Sequence, residues 1–214
     1  PAVKKTNYRP ALEKGRGELA SLWETAGTRE RMGEVCGVTV DSGSLVIPFF
    51  STPYTLSMPE CSFSPEDLKV YEEILLLHYL SRPLLDGAAE PGDPGSWVTF
   101  KQLPSAEFYN ATYRKRGPGI ILSSFASRPG MLSTAGKLLG GEKGTYGDSS
   151  VLLEPLPRIR AMTVLYAGDE ELPPEAEILF SGDIHRYLPL EDTAVLAGLI
   201  AVRLVKACAA EGED

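Results

Sequence analysis

The sequence predicts an α+β fold: a single compact domain in which antiparallel sheet structure is covered by helices. Three observations carry that expectation. Short β-branched runs at 38–57 and 150–166 are joined by turns, which favours antiparallel pairing. Two segments, 65–81 and 190–209, are strongly apolar and need a sheet face to bury against. Hydrophobic residues make up 43% of the 214 and charged residues 23%, a globular composition with enough apolar material for a core.

Taken in order, residues 8–35 carry Leu12, Leu19, Leu22, Trp23 and Met32 among charged residues, and Gly15, Gly17 and Gly27 interrupt the helical period, so two short helices are expected. Val38–Val40 and Leu45–Ile47 read as strands joined by the Asp41–Ser44 turn, and Tyr54–Leu56 as a third strand. Ser64-Pro65-Glu66-Asp67 has the form of a helix start, with Ser at the N-cap, Pro next and acids in the first turn. That helix is expected to run to about Ser81, where Pro83 forbids much continuation. His78 lies among Leu75, Leu76, Leu77 and Leu80 and is expected in the core. Residues 85–96 hold Gly, Ala, Pro and Asp, which predicts a mobile surface loop between two lobes.

Trp97–Phe100 reads as a strand, and helices are expected at about 104–116, 120–126 and 129–139. Ser150–Leu153 and Ala161–Tyr166 read as two strands broken by Pro155 and Pro157, at a sheet edge or a bulge. A final helix spans about 189–209.

The formal charge of −8, from 21 basic and 29 acidic residues, argues against a nucleic-acid partner. No charged-then-apolar leader and no run of eighteen apolar residues is visible, so a cytoplasmic chain without a membrane span is expected. Cys36, Cys61 and Cys208 have no CxxC spacing and form neither a disulfide framework nor a complete metal set. Cys36 and Cys208 read as buried, Cys61 as exposed. The glycine-rich segment 140–148 lacks the Walker spacing and reads as a turn rather than a nucleotide site.

Chemistry concentrates at three places. Asp169, Glu170, Glu171, Glu175 and Glu177 fall within nine residues that contain no base. Asp169 and Glu170 with His185 form a candidate metal group, or else the run is a solvated acidic loop. His185, in the polar turn 181–189, is the best candidate for an axial ligand, with a surface histidine bonded to Asp183 as the alternative. Arg114 and Arg116 offer guanidinium anchors for ligand carboxylates, or simply complement a helix C-terminus. A functional site is therefore expected where the 166–171 strand end, the 181–189 turn and the 114–116 helix end meet.

Four stretches in order resemble the family known as domain of unknown function 3786: Leu75–Leu80, Trp97–Pro104, Leu138–Gly141 with Gly147-Asp148, and Leu165–Pro173 through Ile178–Phe180 to Tyr187–Asp192. The last, with Gly168-Asp169-Glu170-Glu171 and Tyr187-Leu188-Pro189-Leu190-Glu191-Asp192, is the most specific. The chain departs from the pattern at Tyr166, usually Trp, at Leu172, usually Phe, and at Leu190, usually Thr, and the last change removes an N-cap. The resemblance implies a cytoplasmic α+β domain of anaerobic bacteria and archaea, sometimes joined to an iron–sulfur module or encoded near corrinoid-dependent methyl-transfer genes. It implies no established activity.

Three functions follow as expectations. The first is a non-catalytic module binding a tetrapyrrole, haem or corrinoid, with His185 axial, Arg114 and Arg116 on its carboxylates or amides, and Tyr113 and Tyr187 packed on the macrocycle. The second is an acidic interaction protein that docks on a redox or methyl-transfer partner, such as a corrinoid or iron–sulfur protein. The third is a metal-dependent hydrolase using the carboxylates and His185.

Overall fold

In the computed structural model the described residues are 7–87 and 90–211. They form two compact units, each described by itself: the chain up to Ile47 with Pro53–Pro91, and Pro48–Thr52 with the chain from Gly92 on. The units divide between Pro91 and Gly92 and again on either side of Pro48–Thr52, and residues 88 and 89 of the expected 85–96 loop lie outside the described set. The fold is α+β with two antiparallel sheets, one of four strands adjacent in chain order and one of five whose last strand in sequence lies second from an edge.

The first unit begins with the two expected helices, α1 (Arg9–Glu24) and α2 (Thr28–Cys36). Gly27 and Gly37 flank α2 at φ 75° and 68°, left-handed geometry that glycine adopts without a Cβ clash. Strands β1 (Thr39–Val40), β2 (Ser44–Phe49) and β3 (Thr52–Ser57) follow as the β-branched runs predict. Leu45, Ile47, Tyr54 and Leu56 alternate into the core.

The helix start expected at Ser64-Pro65 is not one. Ser64 ends a fourth strand, β4 (Ser62–Ser64), and is paired with Thr55. Helix α3 (Val70–Leu85) begins six residues later, where the Glu72 carboxylate reaches back to accept the Lys69 N–H at 2.8 Å. It also runs through Pro83 to Leu85. Pro83 lacks the N–H that would bond the Tyr79 carbonyl, and the Cys36 thiol approaches that oxygen at 3.6 Å instead. The Tyr79 hydroxyl in turn donates to the Cys36 carbonyl at 2.5 Å, so α2 and α3 are locked reciprocally. His78 is half-buried rather than fully enclosed, because Tyr71, His78 and Arg82 share the partly open stripe of α3. Cys61, expected at the surface, is fully buried beside Met58 Sδ at 3.7 Å, and burial pushes its thiol pKa up. Cys208 is the partly exposed cysteine.

The second unit is built on β5 (Trp97–Thr99), β6 (Glu142–Lys143), β7 (Ser149–Leu156), β8 (Ile159–Tyr166) and β9 (Glu175–Ser181). The hairpin β7–β8 absorbs Pro155 and Pro157 through a register shift between Leu153 and Leu156, the bulge that two prolines demand. Strand β9, absent from the strands the sequence predicts, lies between β5 and β8. Three short helices, α4 (Asn110–Arg116), α5 (Pro118–Phe125) and α6 (Gly130–Leu138), follow β5 after two 3-10 turns. Helix α5 packs on β8 and β9 and α6 on β7; the long α8 (Leu190–Glu211) makes its close backbone approaches to α4, α5 and α6. Within the first unit, α3 packs on α1 and α2.

Among the described helices, Leu190–Ala210 of α8 is the one long and apolar enough to cross a membrane, with a mean hydropathy of 1.8. Its residues Ala194, Leu196, Ala197, Ile200, Ala201 and Leu204 are buried in the protein, on one face of the helix.

Candidate functional site

The most developed polar network of the second unit starts at the free edge of β9. Strand β5 pairs only with Leu179–Ser181, after which the chain turns away at Phe100. At Ile178 a side chain takes the place of the missing strand: the Tyr113 hydroxyl accepts the Ile178 N–H at 3.3 Å and faces the Ile178 carbonyl at 2.9 Å. The same hydroxyl donates to Glu177, and the ring stacks on Phe100 at 4.2 Å. Burial and the Glu177 charge hold the Tyr113 pKa well above the ordinary tyrosine range. Arg114, one residue on, bonds Glu177 at 3.2 Å and Glu175 at 3.4 Å.

Beside this network the loop between β8 and β9 is held in one shape. Asp169 Oδ1 accepts the N–H groups of Glu171 at 2.9 Å and Leu172 at 2.8 Å, and the Asp169 N–H donates to the Leu172 carbonyl at 2.9 Å. Those two donors hold the Asp169 carboxyl below its ordinary pKa. Gly168, at φ 74°, has no room for a side chain: a Cβ would lie 2.6 Å from the Pro174 nitrogen. The loop start is pinned by Asp148, whose carboxylate accepts the Ala167 N–H at 2.8 Å. The result is an open cleft of about 830 Å³. Arg114 and Leu122 line it from the helices, Asp148 and Tyr166 from strand ends, and Asp169, Leu172 and Glu175 from the loop side. Leu172 is 66% exposed and Tyr166 47%.

The expected site is thus split. Arg114 and Asp169 come together, with Glu170 exposed on the same loop. His185 does not join them. It is exposed on α7 (Ile184–Tyr187), beyond Ser181, while the loop adjoins Glu175 at the other end of β9. Seven extended residues separate those ends by roughly 20 Å. Among the described residues no three His, Cys, Asp or Glu side chains converge as a metal set, so Asp169, Glu170 and His185 are not assembled as one. Tyr187 is buried, its hydroxyl accepting the Gly92 N–H at 2.9 Å, and Tyr113 is buried at the strand edge; neither ring faces solvent. Arg116 is exposed two residues past Arg114, and its backbone adjoins Gly198 of α8. The two arginines therefore diverge. The 181–189 turn is tied to the stretch after Gly92, through Gly182 N–H to the Pro94 carbonyl at 3.0 Å. The segment 140–148 is the turn expected of it, carrying β6 beside β7.

Residue reasoning alone missed Leu122, Asp148 and Leu172 as members of a common surface. A weak signal existed, since Gly147-Asp148 and Leu165–Pro173 both belong to the stretches that resemble the family. Fold and cleft together define an α+β chain with a surface cleft of mixed apolar and acidic character. The chain belongs to the family described as Domain of unknown function (DUF3786), whose model matches residues 29–203 and so takes in both units. No curated protein and no solved structure matches the chain.

Proposed function

We propose that this chain is a non-catalytic docking module whose recognition face is the cleft between Arg114, Leu122 and the Tyr166–Glu175 loop. The observation that supports this reading is the combination of a fixed loop with open apolar side chains. Asp148 and Asp169 fix the loop by hydrogen bonds, yet Leu172 and Tyr166 stay in water. Ordering a loop costs conformational entropy, and a preordered apolar surface returns that cost when a partner covers it. A guanidinium already shared by two carboxylates has little left for a third, which weighs against Arg114 as an anchor for a macrocycle carboxylate.

The test is a photo-reactive residue placed at position 172 and, as control, at position 138, where Leu138 is 51% exposed on α6. Irradiation in the native cell is expected to give a discrete adduct with one partner protein from 172 and none from 138. Identical adducts from both positions, or none from 172, overturn the proposal. Titration with haemin and cobalamin supplies the other arm: a saturable absorption change that blocks labelling at 172 would replace docking by tetrapyrrole binding.

A further inference from the structure

Resting on that docking reading, we infer that the occupant of the cleft is a segment of a partner protein that places a basic side chain next to an apolar one. The charges that line the cleft decide the sign. Asp148, Asp169 and Glu175 stand against Arg114 alone. Arg114 is itself held by Glu177, whose side chain is 20% exposed, and by Glu175, whose side chain is 62% exposed. Glu170 and Glu171 add two exposed carboxylates on the same loop.

The two ion pairs of Arg114 are unequal, and the inequality gives the exchange a route. The Glu177 pair is shorter, 3.2 Å against 3.4 Å, and more enclosed, and Glu177 is also bonded by the Tyr113 hydroxyl. An incoming ammonium or guanidinium can take the exposed Glu175 carboxylate while Arg114 keeps Glu177, so no charge is left unpaired. An anionic segment would have to displace Glu175 from Arg114 and then lie among the remaining carboxylates, which is repulsive at short range. Leu172 and Tyr166 supply the apolar contact that fixes where the segment sits. The chain's formal charge of −8 adds long-range attraction for the same partner and a dependence on salt.

The probes are fluorescein-labelled peptides: a Lys/Leu peptide, its Glu/Leu counterpart and its Lys/Gly counterpart, titrated into the whole chain and followed by anisotropy. The Lys/Leu peptide is expected to bind, to weaken about threefold in Glu175→Gln, to weaken about tenfold in Leu172→Ser, and to be unaffected in Glu142→Gln. Glu142 is an exposed carboxylate on β6, at the far edge of the sheet. No binding of the Lys/Leu peptide, equal binding of the Glu/Leu or Lys/Gly peptide, or an equal loss in Glu142→Gln overturns the inference. If the position-172 adduct still forms after such a result, docking stands and the cationic assignment falls. If that adduct is also absent, both fall.

Discussion

Replacing Tyr113 with Phe isolates one hydroxyl while the stack on Phe100 is kept. That oxygen serves three groups: it donates to Glu177, faces the Ile178 carbonyl at 2.9 Å and accepts the Ile178 N–H at 3.3 Å. The Ile178 N–H also reaches Glu177 Oε1 at 3.2 Å, so it keeps a partner in the variant. The losses are then one bond to a charged acceptor and a side-chain donor at the buried Ile178 carbonyl. A charge-assisted bond is worth about 1.5–3 kcal/mol and an orphaned buried acceptor about 1–3 kcal/mol, which overlap here because one proton serves both, giving a net cost of about 2–4 kcal/mol. At roughly 3 °C per kcal/mol for a chain of this size, Tm should fall by about 6–12 °C. The two tryptophans divide the readout, Trp23 reporting on the first unit and Trp97 on the second, so Trp97 fluorescence is followed in a Trp23→Phe background. The folded-state pKa of Tyr113 is raised, so the hydroxyl's contribution is fully present below the unfolded value of about 10 and is lost as the pH rises beyond it. The difference between wild type and Tyr113→Phe should therefore stay constant from neutral pH up to about 10 and shrink above it. Melting of Tyr113→Phe together with wild type, or a Tyr113→Leu variant no worse than Tyr113→Phe although it loses the stack, would refute the reasoning.

Gly136→Ala should destabilise by about 1–3 kcal/mol despite the better helix propensity of Ala, because its Cβ would stand 2.0 Å from Val151 Cγ2; thermal melts check it, and a stability gain would contradict the close approach of α6 to β7. Leu172→Ser should alter stability by no more than about 0.5 kcal/mol, since the side chain is mostly in water; a larger loss in urea unfolding would mean that Leu172 supports the loop rather than faces a partner. Asp183 is buried with Oδ1 unpartnered among the described residues, and burial pushes its carboxyl up from the ordinary aspartate value. A raised folded pKa favours the folded state below the unfolded value of about 3.9 and costs stability as the pH rises through the folded value. Asp183→Asn should accordingly melt above wild type at neutral pH, with the gap closing as the pH falls toward about 4; a gap that widens on acidification would reverse the assignment.

What the sequence made legible was local. Gly27 and Gly37 bracket α2, β-branched residues at 45–47 and 161–166 sit in strands, and the two prolines at 155 and 157 mark the bulge they demand. Where local signals pointed one way and distant pairing another, pairing prevailed. Ser64-Pro65-Glu66-Asp67 has the form of a helix start, yet Ser64 pairs with Thr55 nine residues back. His78 has the surroundings of a core residue, yet it falls on the one stripe of α3 that stays partly open.

The misplaced site traces to a single unread element. Glu175-Ala176-Glu177-Ile178 alternates charged and apolar residues as a strand should, and Ala176 and Ile178 do point into the core. Counted as charge, the same residues look like an acidic loop, and a loop could fold back to bring Asp169 near His185. A strand cannot, because each residue advances the chain by about 3.3 Å and the imidazole is carried to the far end of the sheet. The partners that do meet the loop lie far off in sequence: Arg114 is 61 residues from Glu175 and 63 from Glu177. Nothing in the local pattern of 114–116 distinguishes a guanidinium that complements a helix C-terminus from one that crosses to a strand edge. Recognising β9 places Arg114 and the acidic residues together and sends His185 to the other end of the strand.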